Sequence, residues 1–339
     1  MNLSRRSLTD VSLLVLVNAM WAAQYAAYKV ASRQMGPISL SGWTFLLAGL
    51  ILLPFLVWER RRAGSAKTVP DPVPGKQPGV DSTFRKEEKP TAVRAVDRSL
   101  RSTRNFAGFI MIGVIGLVPA SALLAWGISH STASNAALIY LTVPIITALL
   151  ASFILNERMT LVRWGSLFLA LAGVLIMSSV DLRHASLADS TFLAGNFLVL
   201  AACASSSFYN VYCKELLRRF TPLEVLVVGY FLAVIISLPL MLGVEGFSFR
   251  AIPGYRVNTW LAVIVLSVLS WGLAMVLWMF LLTRLDVSQA SVSIYLLPFL
   301  GVLISAATLH ERITPAMILG GVVTLAGTIL ITTLDPSSV

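Results

Sequence analysis

The chain has 339 residues, of which 57% are hydrophobic and 12% charged, with a mean hydropathy of +0.81. About a quarter of an ordinary soluble domain is charged, so this composition excludes one. The net charge of +10 would point to nucleic acid in a soluble chain, but here the basic residues sit between apolar runs, as topology signals and lipid-surface contacts.

Ten apolar runs follow one another: residues 11–30, 40–58, 106–129, 136–155, 161–179, 192–213, 225–244, 260–282, 290–309 and 313–333. A helix needs about twenty apolar residues to cross a bilayer. Barrel strands are about ten residues long with a period of two, which these runs lack. The fold class expected is therefore an all-α integral membrane protein with ten transmembrane helices. Ser4-Arg5-Arg6 precedes the first run and no small-residue cleavage site follows it, so an uncleaved anchor is expected there.

In the first span, Asn18, Trp21, Gln24 and Tyr25 share one broad helical face. Amides facing lipid would lack partners at a cost of roughly 2–7 kcal/mol each, so this face is expected to look inward. Lys29 closes the span and Gly36-Pro37 opens the second. Residues 59–104 form the one sizeable polar insertion. They open with ERRR, hold five prolines and one aromatic residue, and carry twelve basic against six acidic residues. Such a segment cannot bury enough apolar surface to fold alone. It is expected to be a disordered insertion whose basic flanks hold the topology and meet anionic headgroups.

The fourth and fifth spans, residues 135–178, match the ninth and tenth, residues 289–332, without a gap at an offset of 154. Pro144 falls on Pro298, Glu157-Arg158 on Glu311-Arg312, Thr160 on Thr314, and Leu171-Ala172-Gly173 on Leu325-Ala326-Gly327. Each unit is a helical hairpin with a polar turn, where Thr160 and Thr314 can cap the next helix. Ser166, Ala170 and Gly173 match Gly320, Thr324 and Gly327, small residues that let helices approach closely. Pro144 and Pro298 lie mid-span, where proline frees a backbone carbonyl; a helix break or gate at equivalent places in both halves is the functional reading.

In the sixth span, Ser206, Tyr209 and Asn210 share a face, and Lys214 followed by Thr221-Pro222 repeats Lys29 and Gly36-Pro37 at an offset of 185. Cys203 and Cys213 lie in the same run and imply neither a disulfide framework nor a metal site. In the eighth span Trp271 and Trp278 are seven residues apart, on one face. Tyr140 and Tyr295 stand close to the two mid-span prolines.

Each half thus holds five spans, residues 8–181 and 189–334, and five is odd, so the halves enter the membrane with opposite sense: two inverted five-helix repeats. With both termini in the cytoplasm, cytoplasmic segments carry 20 basic residues and the other side 6, as the positive-inside rule requires.

The paired N-E-R-M-T…L-A-G-V-L-I and H-E-R-I-T…L-A-G-T-I-L segments resemble the EamA repeats of the drug/metabolite transporter superfamily. So do N-A-M-W…K at residues 18–29 and the A-S…N-A-A and S-Q-A-S starts of the fourth and ninth spans. The family often carries an arginine in the second span after the proline; residues 37–43 read P-I-S-L-S-G-W, without one. The resemblance implies a carrier of the cell (inner) membrane. It would move a small metabolite or amphipathic drug-like molecule, of amino-acid, nucleoside or sugar type, outward by alternating access. Its substrate site would draw on Asn18, Trp21, Gln24, Tyr25, Tyr140, Ser206, Tyr209, Asn210, Trp271 and Tyr295, with no metal, cofactor or nucleic acid.

No Asp or Glu lies deep in any span, which argues against coupling through an intramembrane carboxylate. The three histidines have no H-x-x-x-H or H-E-x-x-H spacing and no G-x-S-x-G is present, so an enzyme is the weakest reading. A non-transporting receptor on the same fold is the alternative. Vesicle flux separates the three, because a carrier moves its substrate unchanged.

Overall fold

The computed structural model describes residues 5–65, 103–130, 139–177, 193–309 and 315–334, and all regular structure in them is helical. Helix α1 is Arg5–Ala31 and α2 is Pro37–Ser65. Helices α3 (Thr103–Met111) and α4 (Val118–Ser129) are joined without interruption by a π-helical stretch, Ile112–Leu117. Helices α5 (Val143–Ile154), α6 (Leu161–Met177), α7 (Leu193–Leu217) and α8 (Pro222–Gly243) follow. A second π-helical stretch, Leu266–Ala274, joins α9 (Val257–Val265) to α10 (Met275–Leu282). A 3-10 turn, Ser293–Tyr295, joins α11 (Val287–Val292) to α12 (Leu296–Leu309), and α13 is Pro315–Leu334.

Four rods are long and apolar enough to cross a membrane: Pro37–Arg62, Phe106–Leu124, Pro222–Gly243 and Val257–Leu282, and shorter apolar helices accompany them. Large apolar side chains such as Phe153, Leu161, Phe197, Ile235 and Val257 point outward, at 65–90% exposure. A water-soluble monomer does not present so much apolar surface. In lipid it costs nothing, and the helices satisfy their own backbone polar groups, as a bilayer demands.

Because lipid gives no hydrophobic drive between helices, packing rests on close contact. Helix α6 lies along α13, where a Cβ on Gly173 would come within 2.6 Å of the Gly320 carbonyl and one on Gly327 within 2.8 Å of the Ser166 carbonyl. Thr324 Oγ1 donates to the Ala170 carbonyl at 3.3 Å. Helix α2 lies along α8, with Phe45 stacked on Tyr230 at 5.6 Å between ring centroids. Helix α7 packs on α4 and α5, and α1 packs on α9, the second π stretch and α12.

The ends of the α2–α8 pair are tied. Glu245, just beyond α8, accepts from the backbone N–H groups of Ile38 and Ser39 at 2.5 and 2.8 Å and from Ser39 Oγ at 2.5 Å. These are the orphan donors of a helix start, and a carboxylate also suits the positive end of the dipole. A side chain on Gly36 would fall 2.6 Å from that carboxyl, so glycine is what lets it approach. At the other end Thr221 and Glu224 form a capping box on α8, Arg60 pairs with Glu224 at 3.0 Å, and Thr221 Oγ1 donates to Glu59 at 3.2 Å. Glu245→Ala is expected to lower stability by about 1–2 kcal/mol, the scale of charge-assisted hydrogen bonds at a partly exposed site, read as a lower Tm in detergent. Glu245→Gln, which keeps an acceptor, should lose less.

One expectation is corrected. The polar insertion does not begin at 59: α2 continues to Ser65, because Glu59 and Arg60 find partners on α8, and α3 already includes Thr103 and Arg104. Lys214 stands in the last turn of α7. Its ammonium turns inward to the carbonyls of Leu282 and Leu285, the latter at 2.8 Å, capping the end of α10. The central part of the 59–104 insertion, Thr314 and the Glu311-Arg312 pair lie outside the described residues.

Candidate functional site

Asn18 is fully buried on α1. Its Nδ2 donates to the Leu14 carbonyl at 2.8 Å and to Ser293 Oγ at 3.0 Å, which brings α1 to the 3-10 turn between α11 and α12. Its Oδ1 is buried with no hydrogen-bond partner among the described residues. An unmet buried acceptor is costly and needs an explanation.

An aromatic seam runs along α1 from there. Trp21 sits 5.2 Å from Trp278, whose indole N–H donates to Asn210 Oδ1 at 3.1 Å. Two turns on, Tyr28 accepts from Trp271 Nε1 at 3.2 Å. Trp271 meets the edge of Phe45 at 4.7 Å, and its carbonyl accepts from the Tyr230 hydroxyl at 2.6 Å. Trp271 belongs to the second π stretch, where the widened backbone leaves carbonyls in need of such donors. The two π stretches begin at Ile112 and Leu266, which are 154 positions apart.

The residues singled out in sequence separate into two groups. Asn18, Tyr209, Asn210 and Tyr295 are buried against protein, with the Tyr295 hydroxyl donating to the Leu141 carbonyl at 2.9 Å. Trp21, Gln24, Tyr140, Ser206 and Trp271 are half-buried. The side chain of Tyr25 lies outside the described residues. Trp271 and Trp278 both meet α1, at turns two apart. Tyr28, Phe45, Tyr230 and Ser293 were missed. Tyr28 had a signal, lying seven residues after Trp21 on the same stripe. Pro144 is not in mid-helix: a turn at Leu141–Thr142 interrupts the rod, and Pro144 takes the second position of α5. Proline is preorganised for a helix start, where its missing N–H is not needed. Pro298 stands likewise in the first turn of α12, after the 3-10 turn.

At one end of the molecule the ends of α5, α7 and α10 and the starts of α6 and α11 meet around a cavity of about 210 Å³. It is lined by Glu157, Arg158, Arg163, Lys214, Arg218 and Asp286, with Leu155 and Asn156. Thr160 caps α6 through the Arg163 N–H at 3.2 Å. Glu157 does more than form the turn: it accepts from the N–H groups of Val287 and Ser288 at 2.8 and 3.0 Å and from Ser288 Oγ at 2.6 Å, capping α11. Arg163 has a side chain only 1% exposed, donates to Ser288 Oγ at 2.9 Å and pairs with Asp286. Nearby, Arg284 pairs with Asp10 at the start of α1 at 3.0 Å. These contacts had no signature in the sequence, because they join segments 123–274 residues apart.

The interior therefore offers amide, hydroxyl and indole groups, and the charges stand at the helix ends. Such a set can stack on a ring, accept from a hydroxyl or ammonium and attract a cation to an indole face. Among the described residues no group of His, Cys, Asp and Glu could hold a metal ion.

The sequence profile of the EamA-like transporter family matches residues 9–72, 90–179 and 193–333. A protein of Streptantibioticus cattleyicolor named "Probable terminal-alkyne amino-acid exporter" is 28% identical over 67% of this chain and 73% of its own length. The Bacillus subtilis "Uncharacterized transporter YoaV" is 22% identical over 93% of both chains. An "Uncharacterized transporter" of Archaeoglobus fulgidus is 24% identical over 94% of this chain and 96% of its own. A protein crystal structure with 17% identity matches the fold at a TM-score of 0.68 over 97% of both chains.

Proposed function

Because the chain belongs to the EamA-like transporter family, we propose that it is a ten-helix carrier of two inverted five-helix repeats that exports a small amino-acid-like metabolite by alternating access. Transport as the general role follows from the family and from relatives named as transporters. The amino-acid class draws on the name of the Streptantibioticus relative and on the neutral amide, hydroxyl and indole interior.

One observation carries the inverted-repeat reading: residues at equivalent positions of the two halves touch one another. Phe45 stacks on Tyr230 at the offset of 185; Leu141 meets Tyr295, and Ala170 meets Thr324, at the offset of 154. In a two-fold arrangement only positions beside the axis can meet their own counterparts. Three such contacts, on three helix pairs, support a pseudo-two-fold axis between the halves. Alternating access would rock one half against the other about it. In this arrangement the α5–α6 turn, the end of α7 and the α10–α11 turn face the cytoplasm.

The test is counterflow in proteoliposomes loaded with single amino acids, nucleosides or sugars. Accumulation of a labelled amino acid, unchanged chemically, is the expected result. Accumulation of none of these solutes by folded protein would overturn the reading.

A further inference from the structure

The geometry points to two ion pairs between the halves, Arg163–Asp286 and Asp10–Arg284, as a latch that holds the face they share closed at rest, while the equivalent positions of the opposite face carry residues that cannot form either pair. The inference rests on the alternating-access reading.

Both pairs cross from the first half to the second at the end of the molecule that holds the cavity. Arg163 is the buried cation of the group, and Asp286, a third exposed, faces it. Glu157 lies 3.7 Å from Arg163 and holds the start of α11, so the α5–α6 turn, α6 and α11 form one connected unit. Opening this face means drawing α11 away from α6. That breaks the Arg163–Asp286 pair and the Ser288 hydrogen bonds to Arg163 and Glu157, and leaves the Arg163 guanidinium with the more distant Glu157 carboxylate as its counter-charge.

In an inverted repeat each contact on one face has a counterpart on the other. Glu157 and Ser288 correspond to Glu311 and Ser134, so the carboxylate cap can exist on both faces. Arg163 and Asp286 correspond to Met317 and Thr132, which carry no charge. Arg284 corresponds to His130 and Asp10 to Gly195, and there the Gly195 backbone packs directly on the His130 carbonyl, where a Cβ would come within 2.3 Å. The α2–α8 pair is tied at both ends, by Glu245 and by Arg60–Glu224, and so does not distinguish the faces. At these inter-half positions the two faces differ in charge at the two ion pairs. A difference in stability between two states lowers the apparent affinity on the side whose open state is rare, by the factor of its population. The carrier therefore rests open to the far side, and substrate arriving at the latched face meets the smaller population.

The test does not depend on transport. Cys203→Ala and Cys213→Ala remove the two cysteines of the chain, and Ser291→Cys places a thiol at a fully buried position one turn past Ser288. Sealed vesicles of each orientation are treated with a membrane-impermeant maleimide. With both pairs intact, labelling from the latched face is slow. Arg163→Met with Asp286→Thr, which installs the residues of the other half, is expected to speed it at least tenfold, and Arg163→Lys by less than threefold. Threonine still caps a helix, so Asp286→Thr alone, also expected to label faster than wild type, isolates the charge if the double variant folds poorly. Asp10→Asn with Arg284→His should act in the same direction. Labelling of both double variants and of Asp286→Thr at the wild-type rate, or of Arg163→Lys as fast as Arg163→Met with Asp286→Thr, overturns the proposal. A chain that shows these labelling differences and moves no solute would keep the latch and discard the transport reading.

Discussion

Gly173→Leu is expected to give protein that cannot be recovered as a monodisperse species in detergent, while Gly165→Leu on the same helix behaves as wild type. A Cβ at 173 would stand 2.4 Å from Thr324 Oγ1 and 2.6 Å from both the Gly320 carbonyl and the Thr324 nitrogen. Two of these are backbone atoms, which cannot rotate away. A Cβ at 165 meets nothing within 4 Å. Even Gly173→Ala should cost about 1–3 kcal/mol, the range for forcing extra atoms into a close contact. Gly327→Ala, facing the Ser166 carbonyl and the Ala170 nitrogen, should cost a similar amount. Size-exclusion profiles and thermal unfolding check both. A Gly173→Leu protein with wild-type Tm would mean that α6 and α13 do not meet as described.

Asn18→Ala is expected to reduce transport roughly tenfold to a hundredfold at normal expression, the effect of removing one hydrogen bond of about 1.5–3 kcal/mol to a charged partner such as an ammonium. The argument is the buried Oδ1 left without a partner while Nδ2 is fully used by Leu14 and Ser293. Ser293→Ala separates a structural from a ligand-binding role. It removes the contact between α1 and the 3-10 turn but keeps Oδ1. The Ser293 hydroxyl otherwise bonds only within its own turn, to the Ala290 carbonyl at 2.8 Å. Transport in Ser293→Ala should stay within about threefold of wild type, since hydrogen bonds between helices in membranes contribute only about 0.6 kcal/mol on average. Equal losses in the two variants would assign Asn18 to packing alone.

What could be read in the sequence followed from local spacing and from repetition. The small-residue stripe of Ser166, Ala170 and Gly173 was legible because it recurs at Gly320, Thr324 and Gly327, and the structure brings these six residues together. The inward face of α1 was legible at Asn18 from the cost of an amide in lipid. The acid at 245 was not: a single carboxylate after a helix has no pattern, and its role exists only because Ile38 and Ser39, more than 200 positions away, arrive beneath it. The role of Lys214 was hidden for the same reason, since the carbonyls it caps belong to another helix. The two prolines suggested a break in the rod, but an uninterrupted apolar run does not show that Pro144 begins a helix; the backbone does.

The contacts between Phe45 and Tyr230, Leu141 and Tyr295, and Ala170 and Thr324 bear on how such a chain could arise. A surface that meets its own copy is the surface of a homodimer, here made by two lengths of one polypeptide. On the proposed reading, a gene for a five-span ancestor whose product inserted in both directions would already have encoded the whole assembly, and fusion would have added no new interface. Positions beside the axis then evolve under a joint constraint, because a larger side chain at 170 must be accommodated by its own sibling at 324. Packing of this kind is indifferent to up and down. On that reading, which way the halves face is decided by the basic residues, 20 of which would lie on the cytoplasmic side against 6 on the other.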